Sequence, residues 1–518
     1  MGKFYITTPI YYVNDVPHGG HAYTTLAADT LARYHRLKGD DVWFLTGTDE
    51  HGQNVARWAD EKGQSPQDYT DHISAAFRSL WAHLNISNDD FIRTTEDRHV
   101  ESSLKFWDAL LQSGDVYRDT YAGWYCASCE AFYEEGDLLE GKLCPIHKRP
   151  VEWLEEANYF FRLSAYSDRL YDLVANTDFV APETRRNEVL GVIRQGLRDF
   201  SISRQHVRWG IGVPGSTDEV LYVWVDALSN YITALGYPDG DLYKRFWPAD
   251  LHLMAKDIIR FHCLYWPAML MAAGIPVQKH VYAHGYITIE GEKLSKTRGI
   301  IIDPWRITNQ FGVDPFRYYM LKQPFGPDWD YTEDSFVRTL NADLADGIGN
   351  LLNRVVSMVG RYYDGVVPAP GPLTETEAML TDLAAALPGR VDAAFERFRP
   401  DEALAATWEL VSAANKYVVA VAPWTLAKAR QAGGADGEAA EGRLATALYS
   451  LVEALRLIAL YAAPFIPATA DALAAQLGIS LESVGDWQTA TSWGQYPAGT
   501  KVQPGGVLFP KVEREAKA

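Results

Sequence analysis

The sequence feature that most constrains this chain is His18-Gly19-Gly20-His21, lying between a strand pattern and a helix pattern. Residues 3–9 alternate Phe4 and Ile6 against Tyr5 and Thr7, the period of a strand. From residue 21 to 38, Ala22, Leu26, Leu31, Tyr34 and Leu37 recur at roughly helical spacing, and Gly39 stops the run. Residues 42–46 read as a buried strand and 53–62 as a second helix. A β-α-β-α opening implies a parallel sheet with its ligand crevice at the C-terminal strand ends. A helix starting at His21 would turn N–H groups and a positive dipole end toward an anion. Gly20 lets a nucleotide approach the backbone, and His18 and His21, three residues apart, can address one phosphate group.

A second basic element lies far downstream. Lys293-Leu294-Ser295-Lys296-Thr297, between Gly291 and Gly299, offers two ammonium groups to the β- and γ-phosphates. Alone, such a loop reads as a solvated turn; the histidine pair reverses that balance. The formal charge of −19 excludes indiscriminate nucleic-acid binding, because phosphate contacts want Lys and Arg. It does not exclude one local RNA-binding patch. No secretory signal is visible at the N-terminus, and the apolar stretch 455–470 is interrupted by Arg456 and prolines. The expectation is a cytoplasmic protein with no membrane partner.

Five stretches separate by pattern: 1–115 with the β-α-β-α run, 116–220 with the cysteines, 221–290 where α/β alternation resumes, a loop-rich joint at 291–340, and a helical region at 341–518. The fold class expected is α/β: a split parallel-sheet nucleotide fold with an insertion, followed by a helical bundle. A helix is expected from 256 to 273, and residues 433–442 (GGADGEAAEG) read as a disordered loop between helices. In the insertion, Cys126-x2-Cys129-x14-Cys144-x2-His147 has the spacing of a structural Cys3His zinc site. A disulfide is the competing reading, disfavoured in a reducing compartment. The fourth cysteine, Cys263, reads as a packed thiol.

The stretches TPIYYVNDVPHGGH, FLTGTDEHG, the Cys126–His147 knuckle, YVWVDALSNY, AKDIIRFH, AHGYITIEGEKLSKTRG and GNLLNR make the chain resemble the class I aminoacyl-tRNA synthetases. More narrowly, it is similar over nearly its whole length to the bacterial methionyl-tRNA synthetases. HGGH and KLSKT stand where that class has its HIGH and KMSKS signatures. The resemblance implies a Rossmann-type catalytic domain and a helical anticodon-binding bundle. It implies activation of methionine by ATP with Mg2+, then transfer to the terminal adenosine of tRNA(Met).

Residue by residue, the resemblance puts ATP against His18, Gly20, His21, Asp257, Lys293, Ser295, Lys296 and Thr297. It puts methionine against Ile10, Tyr12, Asp49, Trp224, Ala227, Leu228, Tyr231 and His262, and the anticodon against Asn350, Arg354 and Trp424. Pattern alone gives blander readings: Asp49 as a helix cap, the Trp224–Tyr231 stripe as core, and Asn350 and Arg354 as a solvated face. Trp424 follows Pro423, a helix breaker that can leave the ring exposed, with a buried core ring as the competing reading. Two positions depart from the family, Gly19 for a branched aliphatic residue and Ala255 for a glycine. The chain ends at FPKVEREAKA without the appended domain that commonly drives dimerisation in the family, so a monomer is expected. A synthetase for leucine, isoleucine, valine or cysteine is one rival, and a non-catalytic RNA-binding paralogue is another. The absence of a large editing insertion argues against the first three amino acids.

Overall fold

The computed structural model describes residues 2–126, 131–133, 135–145, 148–205, 207–293, 301–481 and 485–513. It divides into two compact units, Gly2–Ala28 with Asp41–Tyr286, and Asp29–Asp40 with Ile287–Ala518.

The first unit is built on a six-stranded, wholly parallel sheet. Strands β1 (Lys3–Tyr12), β2 (Asp41–Asp49) and β3 (Asp90–Arg93) come first. A second sheet follows, with β4 (Val116–Cys126), β5 (Ala131–Tyr133) and β6 (Glu152–Phe161). Short β7 (Val180–Ala181) belongs to the first sheet, while β8 (Phe200–Ser201) closes the antiparallel order β5-β4-β6-β8. The short hairpin of β9 (Ser203–Arg204) and β10 (Val220–Leu221) precedes β11 (Leu251–Ala255) and β12 (Val281–His284). The parallel order is β3-β2-β1-β11-β12-β7, so chain progression reverses between β1 and β11. Crevices at such switch points are where open α/β sheets bind ligands. Its strands are apolar on both faces because helices cover both, which is why Tyr5, Ile6, Phe44 and Leu45 are all buried.

β1 runs longer than its alternation suggested, through a proline. The β1–β2 register slips between Thr7 and Ile10, so Thr7 pairs Leu45 while Ile10 pairs Gly47. Pro9 has no N–H to give a central ladder, and a one-residue bulge accommodates it. Beyond the bulge Ile10 and Tyr12 are partly exposed while Tyr11 turns inward. Gly47 answers the same crowding: a Cβ there would lie 2.1 Å from the Ile92 carbonyl oxygen and 3.0 Å from Ile10 Cγ2.

Helix α1 (Gly19–Leu37) begins two residues earlier than its apolar period suggested. The helices α2 (Gln53–Glu61), α3 (Pro66–His83) and α4 (Asp97–Gln112) follow, and α5 (Ser167–Asn176), α6 (Glu183–Arg194) and α7 (Val223–Thr233) complete the set used below. The helix expected at 256–273 is three pieces: a 3₁₀ turn at Lys256–Ile258, a π segment at Phe261–Tyr265 and an α-helix at Trp266–Ala272. Pro267 cannot donate to the preceding turn, and the wider π turn beside it re-aims His262.

The second unit carries a small sheet, β13 (Ile287–Ile289), β14 (Glu292–Lys293) and β15 (Trp329–Asp330), and then helices. Residues 433–442 are not the expected loop: they begin the helix Gly434–Ala462. That helix is long and apolar enough to cross a membrane by length and composition, but its apolar window is wholly buried, the mark of a core helix. The apolar stripe Leu344, Ile348, Leu351, Val355 and Val359 is buried as its spacing predicts, with Met358 at its edge. Its first half is a π segment, Leu340–Gly349.

Candidate active site at the sheet switch point

The histidine pair is organised by its own backbone. The His18 carbonyl accepts from Ala22 N–H at 3.1 Å, which makes His18 the cap of α1. Gly20 N–H donates to His18 Nδ1 at 3.0 Å, and His18 N–H donates to His21 Nδ1 at 3.2 Å. The two rings stack with centroids 3.9 Å apart. With both Nδ1 atoms accepting, each neutral imidazole carries its proton on Nε2. The pair is therefore two fixed N–H donors at a helix N-terminus. The Gly20 N–H is taken by the cap.

Residues that the sequence reading did not single out hold this turn. Tyr11 lies 4.9 Å from the His21 ring, stacks on Phe77 and sits 2.7 Å from Thr25 Oγ1. On the other side His284 Nδ1 faces the Gly285 carbonyl at 2.7 Å, so its Nε2 accepts from Thr24 Oγ1 at 2.7 Å. Burial holds the His284 pKa down at about 4, which keeps that tautomer neutral.

Next to β1, Asp49 is the last residue of β2, in register with Tyr12, and is partly exposed. Ile10 and Trp224 both pack at the margin of the apolar core of this unit. Trp224 lies flat on Phe261 at 3.7 Å and edge-on to His262 at 6.4 Å. Ala227, Leu228 and Tyr231 are buried on the same helix, α7. His262 Nδ1 faces the Ile258 carbonyl at 3.0 Å, so Nε2 accepts the Tyr231 hydroxyl proton at 2.7 Å. Burial pulls the His262 pKa to about 4. The result is a wall of aromatic edges and neutral polar tips, suited to an apolar, polarisable side chain.

Beneath it lies a buried polar network. Asp226, between Trp224 and Ala227, receives His51 Nδ1 at 2.7 Å and His99 Nε2 at 2.7 Å. Burial alone would raise its pKa, but the two imidazoles outweigh burial and hold it at about 2. The neighbouring Glu50 is fully buried and receives Arg93 through both oxygens at 2.8 and 2.9 Å, with Thr48 and Thr95 also donating. An acid inside the apolar run VWVDAL was the available signal for Asp226.

Other expected residues are placed separately. Asp257 is exposed in the 3₁₀ turn after β11, and Ala255 ends that strand. Lys293 ends β14 in the second unit, while Ser295, Lys296 and Thr297 lie outside the described residues. Cys126 and Cys144 are buried together beside Val151, and Cys129 and His147 fall outside the described residues. No group of three metal-ligating side chains occurs among the described residues. Cys263 is fully buried with its thiol pKa pushed up. In the second unit Asn350 is exposed, Arg354 is partly buried one turn on, and Trp424 is 47% exposed rather than a core ring.

A parallel sheet interrupted by an insertion, a histidine pair at its switch point and a downstream helical unit define a class I aminoacyl-tRNA synthetase. Residues 4–150 and 135–356 match the family model described as "tRNA synthetases class I (M)", and residues 367–518 match the "Anticodon binding domain of methionyl tRNA ligase". The chain is 46% identical over 516 residues to the methionine–tRNA ligase of Caldanaerobacter subterraneus subsp. tengcongensis, covering 99% of this chain and 79% of that protein. The Bacillus subtilis methionine–tRNA ligase is 44% identical over 529 residues. Among solved structures, Mycobacterium tuberculosis methionyl-tRNA synthetase in complex with methionyl-adenylate superposes with a TM-score of 0.93 at 43% identity, covering 98% of this chain and all of that one. The free-state form of that protein gives 0.88. The chain belongs to the methionyl-tRNA synthetase family, ATP-dependent ligases that join methionine to tRNA(Met).

Proposed function

We propose that the switch-point crevice forms methionyl-adenylate, with the Nδ1-capped histidine pair as its centre. The methionine carboxylate attacks the ATP α-phosphate and pyrophosphate leaves. His18 and His21, each with a fixed Nε2–H, stabilise the charge gathering on that phosphate, the kind of preorganised donation worth roughly 10²–10³ in rate. Lys293 and Lys296, with Ser295 and Thr297, steady the departing β- and γ-phosphates, and Mg2+ travels with ATP. Gly20 and Asp257 line the nucleotide. Asp49 pairs the α-ammonium. Ile10, Tyr12, Trp224, Ala227, Leu228, Tyr231 and His262 enclose the thioether. In the second step a ribose hydroxyl of the terminal tRNA adenosine attacks the mixed anhydride and AMP leaves. Asn350, Arg354 and Trp424 receive the unstacked anticodon by hydrogen bonding and stacking.

Cys126, Cys129, Cys144 and His147 would hold one zinc ion, which would cross-link and brace the insertion. The shared burial of Cys126 and Cys144 supports that reading. A monomer in the cytoplasm is the working arrangement.

The observations that carry the proposal are the locked tautomer of both histidines and the wall formed by Trp224, Tyr231 and His262. Amino-acid-dependent ATP–pyrophosphate exchange tests it. Methionine is expected to drive exchange well above leucine, isoleucine, valine and cysteine. Exchange driven by valine in its place would refute the pocket assignment.

A further inference from the structure

Helix α7 carries two stripes, one polar and fully buried, the other apolar and buried except at Trp224, which is partly exposed. The apolar one has Trp224, Ala227, Leu228 and Tyr231 at i, i+3, i+4 and i+7. The polar one, offset by two residues, is Asp226, Ser229, Asn230 and Thr233, each about 1% exposed or less. A buried polar stripe stabilises a fold less than an apolar one of the same volume, so its value lies in fixing geometry. The side chains that reach this stripe from other elements come from α4 and from the residues after β2. His99 spans Asp226 at 2.7 Å and Thr233 at 2.8 Å, and Ser103 Oγ meets Ser229 Oγ at 2.8 Å. His51 takes the other Asp226 oxygen.

His51 stands two residues beyond Asp49. The segment between is pinned from the opposite direction as well, by the Glu50–Arg93 pair and by Trp209 Nε1 on the Glu50 carbonyl at 2.6 Å. One carboxylate thus joins the strand end that holds Asp49 to the helix that holds the side-chain wall. A carboxylate is suited to this, because its two oxygens accept two donors from different directions.

We infer that the His51–Asp226–His99 bridge is a specificity-determining length gauge, which sets the distance between the α-ammonium anchor at Asp49 and the thioether wall on α7. The inference rests on the proposed roles of Asp49 and the α7 wall. Asp226 touches no substrate in this scheme; it is a positioning residue. Loosening the bridge lets the wall drift relative to the anchor, so amino acids one methylene shorter or longer are rejected less well. A methylene misfit in an apolar pocket is worth roughly 10–200-fold in selectivity, which bounds the effect.

The experiment compares kcat/KM in pyrophosphate exchange for methionine, homocysteine and ethionine in wild type, Asp226→Asn, His51→Leu, His51→Asn and His99→Gln. An amide at position 226 offers one acceptor where two donors converge. Asp226→Asn and His51→Leu are expected to lower selectivity for methionine about tenfold or more, with the KM for ATP within twofold of wild type. His51→Asn and His99→Gln keep an N–H near the lost ring nitrogen and are expected to restore most of the selectivity. Parallel losses for all three amino acids, or an equal rise in the ATP KM, would overturn the gauge. If Asp226→Asn does not fold, His51→Leu against His51→Asn decides, since His51 sits at the edge of the network. Wild-type enzyme that fails to exchange methionine would refute the proposed function itself, a result distinct from an unselective variant.

Discussion

At His18 an imidazole takes the place that serine or aspartate usually holds at a helix start. In the proposed site the ring therefore has two separable roles: Nδ1 caps α1, and Nε2–H would meet the phosphate. His18→Asn keeps a capping oxygen, but its shorter amide N–H does not reach where Nε2–H stood, whereas His18→Ala loses both. Asn should hold the melting temperature and slow exchange roughly 10²–10³-fold. Ala should slow it as much and also cost about 1 kcal/mol of stability, read by urea unfolding. Equal melting losses in both would show that the cap is worth little. Lys296→Ala should slow adenylate formation by a comparable factor while barely moving methionine affinity, measured by pre-steady-state kinetics and calorimetry; equal losses would contradict a phosphate role. The histidine pair at the start of α1 was legible at residue level, because HGGH between a strand pattern and a helix pattern marks that turn. The residues that hold the pair were not. Tyr11 and Phe77 look like ordinary core aromatics until the fold sets them against His21, and no local pattern announces a partner as distant in sequence as Phe77.

Between elements, the sequence revealed types better than boundaries. Periodicity found β1 and α1 but missed the residues after Pro9, because a proline in a strand pattern ordinarily argues against the strand. It could not foresee the π turn that carries His262, since apolar spacing over one turn does not distinguish 3.6 from wider repeats. Gly433 to Gly442 looked like a loop by composition, yet tertiary burial of the following apolar residues draws them into the long core helix. Where the helix Pro400–Val421 ends, Ala422 adopts φ 46°, a left-handed conformation that costs a residue with a Cβ roughly 1–2 kcal/mol. Pro423 then starts the next helix and Trp424 follows in its first turn. Ala422→Gly should relieve that strain and stabilise the helical unit by up to about 1 kcal/mol, after the entropy glycine gains when unfolded. A lower melting temperature would mean that the turn is not strained. Trp424→Ala belongs to the same junction: the KM for tRNA should rise while tRNA-free pyrophosphate exchange stays level. A matching fall in exchange would make Trp424 structural.

For the molecule as a whole, three buried histidines set the response to acid. His252, His262 and His284 all have lowered pKa values, burial being the leading cause, with the latter two at about 4. Between pH 6.5 and 4 the unfolded chain binds protons that the folded chain refuses, so stability falls as pH falls through that window. Each such group contributes up to about 1.4 kcal/mol per pH unit. Asp226 acts in a lower window: its stabilisation is complete above pH 3.8 and is lost toward pH 2. Urea midpoints at pH 7.5 and 5.0 should differ accordingly, and His284→Gln should flatten the slope. An unchanged slope would mean that these rings are not buried neutral. The net charge of −19 gave no hint of this, because surface charge and buried imidazoles enter the titration separately.

The offset stripes of α7 also bear on redesign. In the proposed site Ala227 and Leu228 meet the amino acid, whereas Asp226, Ser229 and Thr233 seat the helix, and no residue belongs to both sets. Substituting the first pair can reshape the cavity for bulkier apolar amino acids without disturbing how the helix is mounted. Retooling this enzyme is thus a matter of editing one face of one helix, with the other face left as its fixture.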